Sequence, residues 1–125
     1  MEWIMVGIGG AIGSCLRYGI TLATLRLGWV FPLGTLLSNV IAGFAIGLIV
    51  GLEAQSLCIP PRTKLFLNTG LLGGLSTFST FSLETVRLYS AGNYLHAAGN
   101  VILNLGLSLL GVVLGMVLAR IIKKV

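Results

Sequence analysis

The segment from residue 69 to residue 84 constrains this chain more than any other part of it. It occupies the place of a membrane span, yet it contains the pair Gly73-Gly74, six hydroxyl side chains, two phenylalanines and one carboxylate. In a bilayer, polar groups and loosened backbone are stable only where they face protein or water. We therefore expect the rest of the chain to form a scaffold that encloses this segment.

The composition assigns the chain to a membrane. Only 9% of its residues are charged and 56% are hydrophobic, whereas soluble domains are about 25% charged. The net charge of +5 comes from basic residues scattered between apolar runs. Positive loops beside membrane spans explain this pattern, so we do not expect nucleic acid as a partner. The length of 125 residues fits one domain.

The apolar runs predict an all-α membrane domain with four transmembrane helices per protomer. Proline at 32 suits the first turn of the second helix, and the pair Pro60-Pro61 separates the second span from the third. The predicted spans cover residues 3–25, 33–52, 65–89 and 94–122 of the single domain 1–125.

The third span is expected to break near its middle, at Gly73-Gly74. Glycine leaves helical dihedrals more easily than other residues do. A break frees carbonyl groups that lipid cannot satisfy. Either a neighbouring helix or a bound cation would then partner them. Close packing of the glycine pair against another helix is the alternative interpretation.

The second and fourth spans each carry a polar and glycine stripe at four-residue spacing. Asn39 on the second span either bonds across a helix contact or donates its amide to a polar path. The fourth-span stripe favours a functional lining. Because a four-span protomer is too thin to enclose a pore, we expect the glycines to meet another subunit. The stripes are Thr35, Asn39, Gly43, Gly47 and Gly51, and Asn100, Asn104, Ser108, Gly111 and Gly115.

Phe78 and Phe81 lie on one helical face, and Ser76, Ser79 and Thr80 add hydroxyls beside them. The edge of an aromatic ring is electropositive. Ring edges, an amide NH₂ and hydroxyls together replace part of an anion's hydration without a full charge that would trap it. Such weak binding is what conduction requires.

Arg17 and Glu84 are the charged residues that lie more than two residues from the end of a predicted span. Arg17 either extends to the membrane interface or lines an aqueous vestibule. Glu84 lies three residues after Phe81 and is expected to pair with Arg17 or to take up a proton. Five basic residues fall on the side of the two termini and three on the other side. This weak bias favours cytoplasmic termini, and such a nearly balanced count is also what a protein that inserts in both orientations would show.

The sequence resembles the CrcB/Fluc family of fluoride channels over its whole length. Residues 13–18, 34–39 and 73–82 read GSCLRY, GTLLSN and GGLSTFSTFS, and 100–104 reads NVILN. The resemblance implies an antiparallel, dual-topology homodimer in the cell membrane, with two pores. It also implies a fluoride-selective passive channel that exports cytoplasmic fluoride and so lowers its toxicity.

The resemblance also implies a role for each site residue. Phe78 and Phe81 would form aromatic walls, and Arg17 would lie at the vestibule. The carbonyls of Gly73 and Ser76 would hold a structural sodium ion at the dimer centre, although the family is expected to have threonine at the latter position. The polar lining of the pore would comprise Asn39, Thr35, Ser79, Thr80, Asn104 and Ser108, with Glu84 and Asn100 as accessory residues.

A small multidrug-type, proton-coupled cation antiporter is the alternative function. It also has four spans, but its chemistry needs a membrane-embedded carboxylate, characteristically in the first span. Here the first span contains Arg17, and Glu84 is the acid within a span. An enzyme is not expected, because no nucleophile and base, metal-ligand cluster or pair of acids is evident.

Overall fold

A computed structural model describes residues 1–124, which are helical with short connections and contain no strand. Three of the helices, α1, α2 and α6, are long and apolar enough to cross a membrane. The protein is therefore a multi-pass membrane protein. In chain order the segments are α1 (Glu2–Leu25), α2 (Leu33–Glu53), α3 (Pro61–Lys64), the π-helical π1 (Leu65–Leu72), α4 (Gly73–Leu75), α5 (Phe78–Ser90) and α6 (Tyr94–Lys124).

Helices α2 and α6 form the most extensive contact of the protein, along their glycine stripes. A Cβ atom added at Gly47 would fall on the backbone of Val112, and one added at Gly115 would fall on the backbone of Phe44. The predicted use of these glycines as a helix contact is confirmed. The expectation that they meet another subunit was wrong, because the two stripes pack against each other within one chain.

Helix α1 packs in the same way against π1 and α4. A Cβ atom added at Gly74 would lie 2.5 Å from the carbonyl oxygen of Gly10 and 3.1 Å from the amide nitrogen of Ser14. The backbones therefore touch without intervening side chains. The glycine that was expected to open the helix instead allows α4 to approach α1.

The helical path is interrupted at Ser76 and Thr77. Both residues are extended, with φ −77° and ψ 154° at Ser76 and φ −153° and ψ 121° at Thr77. Gly73 is helical, at φ −64° and ψ −36°, so the prediction that the glycine pair marks the break was wrong. Helix α5 restarts at Phe78 and packs against α6.

Candidate functional site

The interruption is held by one side chain from α2. The amide N–H of Thr77 donates to Asn39 Oδ1 at 2.7 Å, and Asn39 Nδ2 donates to the Thr77 carbonyl at 3.2 Å. In a continuous helix this N–H would bond the Gly73 carbonyl. The carboxamide of Asn39 therefore replaces a helical partner and fixes the extended conformation of Thr77.

A side chain from α1 supports the interruption from the other side. Arg17 Nε donates to the carbonyl oxygen of Gly74 at 3.0 Å. This carbonyl would bond the amide of Phe78 if the helix continued. Because buried carbonyls need a donor that lipid cannot provide, Arg17 stabilises the end of α4 in addition to carrying a charge.

The start of α5 is capped by a local hydroxyl cluster. The Thr77 Oγ1 atom accepts from the amide of Thr80 at 3.2 Å and lies 3.0 Å from Thr80 Oγ1 and 3.3 Å from Ser79 Oγ. Threonine is a favourable N-cap because its hydroxyl satisfies a free helical N–H. The predicted pore hydroxyls of Ser79 and Thr80 therefore belong to the cap.

A cavity of about 190 Å³ lies where α2, α5 and α6 meet beside the interruption. It contains five of the residues that the sequence predicted to line a pore. The other three, Thr35, Ser79 and Thr80, do not line it. The lining consists of Asn39, Thr77, Phe78, Phe81, Asn104, Leu105 and Ser108.

The two phenylalanines form one wall of this cavity. Their ring centroids are 5.4 Å apart and the ring planes are inclined by 52°, a tilted arrangement that aromatic pairs favour over a face-to-face stack. Phe81 is only 6% exposed, whereas Phe78 is 72% exposed in the single protomer. The Phe81 side of this wall is therefore buried within the protomer, whereas the Phe78 side is exposed at its surface.

The opposite wall consists of amides and one hydroxyl. Asn39 Nδ2 donates to Asn104 Oδ1 at 2.9 Å, and Asn104 Nδ2 donates to Asn100 Oδ1 at 2.7 Å. Both hydrogens of Asn39 are thus bonded, because the second reaches the Thr77 carbonyl. Among residues 1–124, the second N–H of Asn104 has no acceptor, and the buried hydroxyl of Ser108 has no partner.

Comparison with known proteins identifies the kind of chain that has this arrangement. Residues 4–116 match the family model described as CrcB-like protein, Camphor Resistance (CrcB). The chain belongs to the CrcB family. Three CrcB relatives, each named fluoride-specific ion channel FluC, cover nearly all of it. The relative from Clostridium novyi is 48% identical over 95% of this chain and 94% of its own length.

Two further CrcB relatives support the same assignment. The relative from Aeromonas salmonicida is 47% identical over 91% of this chain and 92% of its own. The relative from Paraburkholderia xenovorans is 44% identical over 99% of this chain and 100% of its own. The similarity therefore includes the segments that form the cavity and the interruption.

A second cavity of this CrcB protein, also about 190 Å³, includes Thr35 and Glu84. Thr35 Oγ1 donates to Glu84 Oε1 at 2.9 Å, while Glu84 Oε2 is buried without a partner among the described residues. The expected ion pair between Glu84 and Arg17 was wrong. Arg17 instead donates to the Gly74 carbonyl, and Thr35 takes the place predicted for the arginine.

The carbonyls of Gly73 and Ser76 are compatible with a hard cation such as sodium. The Gly73 carbonyl loses its helical donor because the amide of Thr77 bonds Asn39. The Ser76 carbonyl belongs to an extended residue, and the amide of Thr80 bonds Thr77 Oγ1 in place of this carbonyl. Carbonyl oxygens are the ligands that unwound membrane helices offer to sodium.

Sequence reasoning missed two residues of the cavity, Thr77 and Leu105. Thr77 had a local signal, because a threonine directly before a helical run is a common N-cap. Leu105 had none, since it follows Asn104 in a continuous apolar helix. Its position became evident only when α5 and α6 were placed side by side.

Proposed function

We propose that this protein is a passive, fluoride-selective channel of the cell membrane that exports cytoplasmic fluoride. The observation that carries the proposal is the cavity beside the interruption, whose lining combines two aromatic rings with the unpaired donors of Asn104 and Ser108. The relatives' name, fluoride-specific ion channel, agrees with this chemistry.

The cavity suits a small anion that has to leave again. Its lining has no formal charge, so it offers no strong trap. The N–H of Asn104 and the O–H of Ser108 are donors, and the edges of Phe78 and Phe81 are weakly electropositive. Binding that favours entry but is weak enough for release is the condition for conduction.

The channel unit is proposed to be an antiparallel homodimer with two pores. In one protomer Phe78 is 72% exposed, which leaves the aromatic wall of the cavity open. The interrupted segment from Pro61 to Ser90 would be the third of four membrane spans. A second copy inserted in the opposite orientation would cover Phe78, and the nearly balanced basic residues of the two sides allow both orientations.

A structural sodium ion at the dimer centre is part of the proposal. The carbonyls of Gly73 and Ser76 would hold it, since both have lost their helical donors. When bound, the ion supplies a positive charge that favours anions near a cavity without charged side chains. The chain itself would orient these carbonyls through Arg17 and Asn39, which bond Gly74 and Thr77, the residues directly after Gly73 and Ser76.

The residues outside the cavity have supporting roles in this proposal. Arg17 would attract anions at the vestibule while it stabilises α4, and Thr35 would bring the second cavity into the anion path. Ser79 and Thr80 would keep the start of α5 ordered through the hydroxyl cap. Glu84 and Asn100 would act as accessory residues.

Passive conduction is sufficient for export. Hydrogen fluoride is a neutral weak acid that crosses membranes and dissociates inside the cell. The anion that accumulates is then driven out by the negative membrane potential, at about 2.3 kcal/mol per charge for 100 mV. The antiporter alternative is not favoured, because the carboxylate of Glu84 lies outside the cavity lined by Phe78 and Phe81.

Fluoride efflux from liposomes tests this proposal. The purified protein is reconstituted into liposomes loaded with either fluoride or chloride salts, with a potassium ionophore to balance charge. We expect rapid fluoride efflux, no chloride efflux above that of empty liposomes, and no requirement for a proton gradient. Fluoride efflux equal to that of empty liposomes would contradict the proposal, and efflux that stops without a proton gradient would indicate an antiporter.

A further inference from the structure

A directed chain of hydrogen bonds runs from the cavity through α6 and ends on the backbone of α5. Beyond the bond from Asn104 to Asn100, Asn100 Nδ2 donates to Thr85 Oγ1 at 2.9 Å. The hydroxyl of Thr85 in turn donates to the backbone carbonyl of Phe81 at 2.8 Å. Asn100 is fully buried, so water does not compete for these bonds.

The direction of the chain is fixed because both of its ends are backbone groups. At one end the Thr77 N–H is only a donor, and it bonds Asn39 Oδ1. At the other end the Phe81 carbonyl is only an acceptor. A carboxamide has nearly the same shape with its oxygen and nitrogen exchanged. Reversing Asn39, Asn104 or Asn100 would nevertheless place two donors or two acceptors together.

The hydroxyl of Thr85 links the Phe81 carbonyl to the carboxamide of Asn100 and so orients that carboxamide. It accepts from Asn100 while donating to Phe81, and both bonds are satisfied only when Asn100 turns its nitrogen towards α5. The Asn100 oxygen then faces Asn104, which must donate to it. Without the hydroxyl, the Asn100 nitrogen loses its acceptor, and the orientation of the amides is held from the Thr77 end alone.

We propose that Thr85 is a positioning residue for anion passage, which acts through Asn100 to keep the carboxamide of Asn104 in its donating orientation. The inference rests on the proposed conduction of fluoride. Thr85 does not line the cavity of Asn104. It lines a separate, apolar cavity with Tyr89 and Tyr94. A reversed Asn104 would present its oxygen where its N–H now lies, and that oxygen would repel an anion.

The test compares Thr85→Val with Thr85→Ser in the liposome efflux assay. Valine keeps the shape of threonine but removes the hydroxyl, whereas serine keeps the hydroxyl. We expect Thr85→Val to lower the initial fluoride efflux about tenfold, as for a population change of about 1.4 kcal/mol, and Thr85→Ser to stay within twofold of the unmodified protein. Equal rates for Val and Ser, whether high or low, would overturn the proposal.

Testing Thr85→Val in the Asn104→Ser variant separates a positioning role of Thr85 from a purely structural role. In Asn104→Ser no carboxamide is left to orient, so adding Thr85→Val should lower efflux no further. A further tenfold loss in the double variant would overturn the proposal. If Thr85→Val does not assemble, Thr85→Ala is compared with Thr85→Ser in its place. If Asn104→Ser passes no fluoride, the comparison of the single variants at Thr85 decides. Absence of efflux from the unmodified protein would instead refute the proposed function.

Discussion

Helix α6 is continuous, whereas the segment from α3 to α5 is interrupted, and the glycine content of the two regions does not explain this difference. Helix α6 contains Gly99, Gly106, Gly111 and Gly115 and yet runs unbroken for 31 residues. The segment from Pro61 to Ser90 also contains glycines, but these are helical, and the chain is extended only at Ser76 and Thr77.

The difference lies in what the neighbouring helices offer. Asn39 bonds both backbone groups of Thr77, and Arg17 bonds the carbonyl of Gly74. Of the glycines of α6, Gly111 and Gly115 instead face the backbone of α2, and Gly106 faces open space. A membrane helix is thus interrupted where side chains replace the lost backbone bonds, and glycine serves for close contact. Variants of each region test this distinction.

The largest effect is expected for Gly47→Val in the seam between α2 and α6. The added side chain would overlap the backbone of Val112, which has no freedom to move aside. Such overpacking typically costs about 1–3 kcal/mol and occasionally more. We expect little assembled protein by size-exclusion chromatography. The control is Gly106→Val on α6, which has no atom within 4 Å of its added Cβ. Equal yields of both variants would contradict the contact role of Gly47.

The next largest effect is expected for Asn39→Ala, which removes both bonds to Thr77 and one to Asn104. An unsatisfied buried group costs about 1–3 kcal/mol. We therefore expect fluoride efflux to fall roughly 100-fold while the assembled protein remains. The control Asn93→Ala, in the turn before α6, should conduct normally. Efflux of Asn39→Ala within twofold of normal would show that the interruption does not need this amide.

A smaller effect is expected for Arg17→Lys. Lysine keeps the positive charge but does not reproduce the guanidinium Nε that bonds the Gly74 carbonyl. We expect fluoride efflux to fall about fivefold, in line with the loss of about 1 kcal/mol. Arg17→Gln separates charge from hydrogen bonding in the same assay. Normal efflux of the lysine variant would assign Arg17 a purely electrostatic role.

The smallest effect is expected for Lys64→Gln. Lys64 Nζ lies 3.0 Å from Glu53 Oε2, and the lysine side chain is half-exposed, so this pair is worth less than about 1 kcal/mol. We expect unchanged fluoride efflux and a melting temperature within about 2 °C of normal. A marked loss of efflux would mean that the link between α2 and α3 controls the cavity.

The sequence predicted the parts of this fold that depend on local pattern. Apolar runs predicted the helices α1, α2 and α6, and helical spacing predicted that Asn104 and Ser108 share one face. The family resemblance implied that Asn39 lies in the same lining. The position of the interruption was not predictable in this way. It depends on Asn39 and Arg17, which reach Thr77 and Gly74 from other helices.

Local hydrogen bonds explain where three of the predicted pore residues lie. Ser79 and Thr80 belong to the first turn of α5, which starts at Phe78 after the extended Thr77. Their hydroxyls are used by the helix cap. Thr35 lies one turn before Asn39 as predicted from spacing, yet its hydroxyl bonds Glu84 in a separate cavity.

The central claim is that anions pass the cavity between the aromatic wall and the amides. The most direct test is the initial fluoride efflux of Phe81→Ile compared with Leu105→Ile, measured with a fluoride electrode on matched liposomes. Both changes alter an apolar side chain of the same cavity, but only the first removes a ring edge. The account predicts a loss of at least tenfold for Phe81→Ile and nearly normal efflux for Leu105→Ile. Equal efflux from the two variants would contradict it.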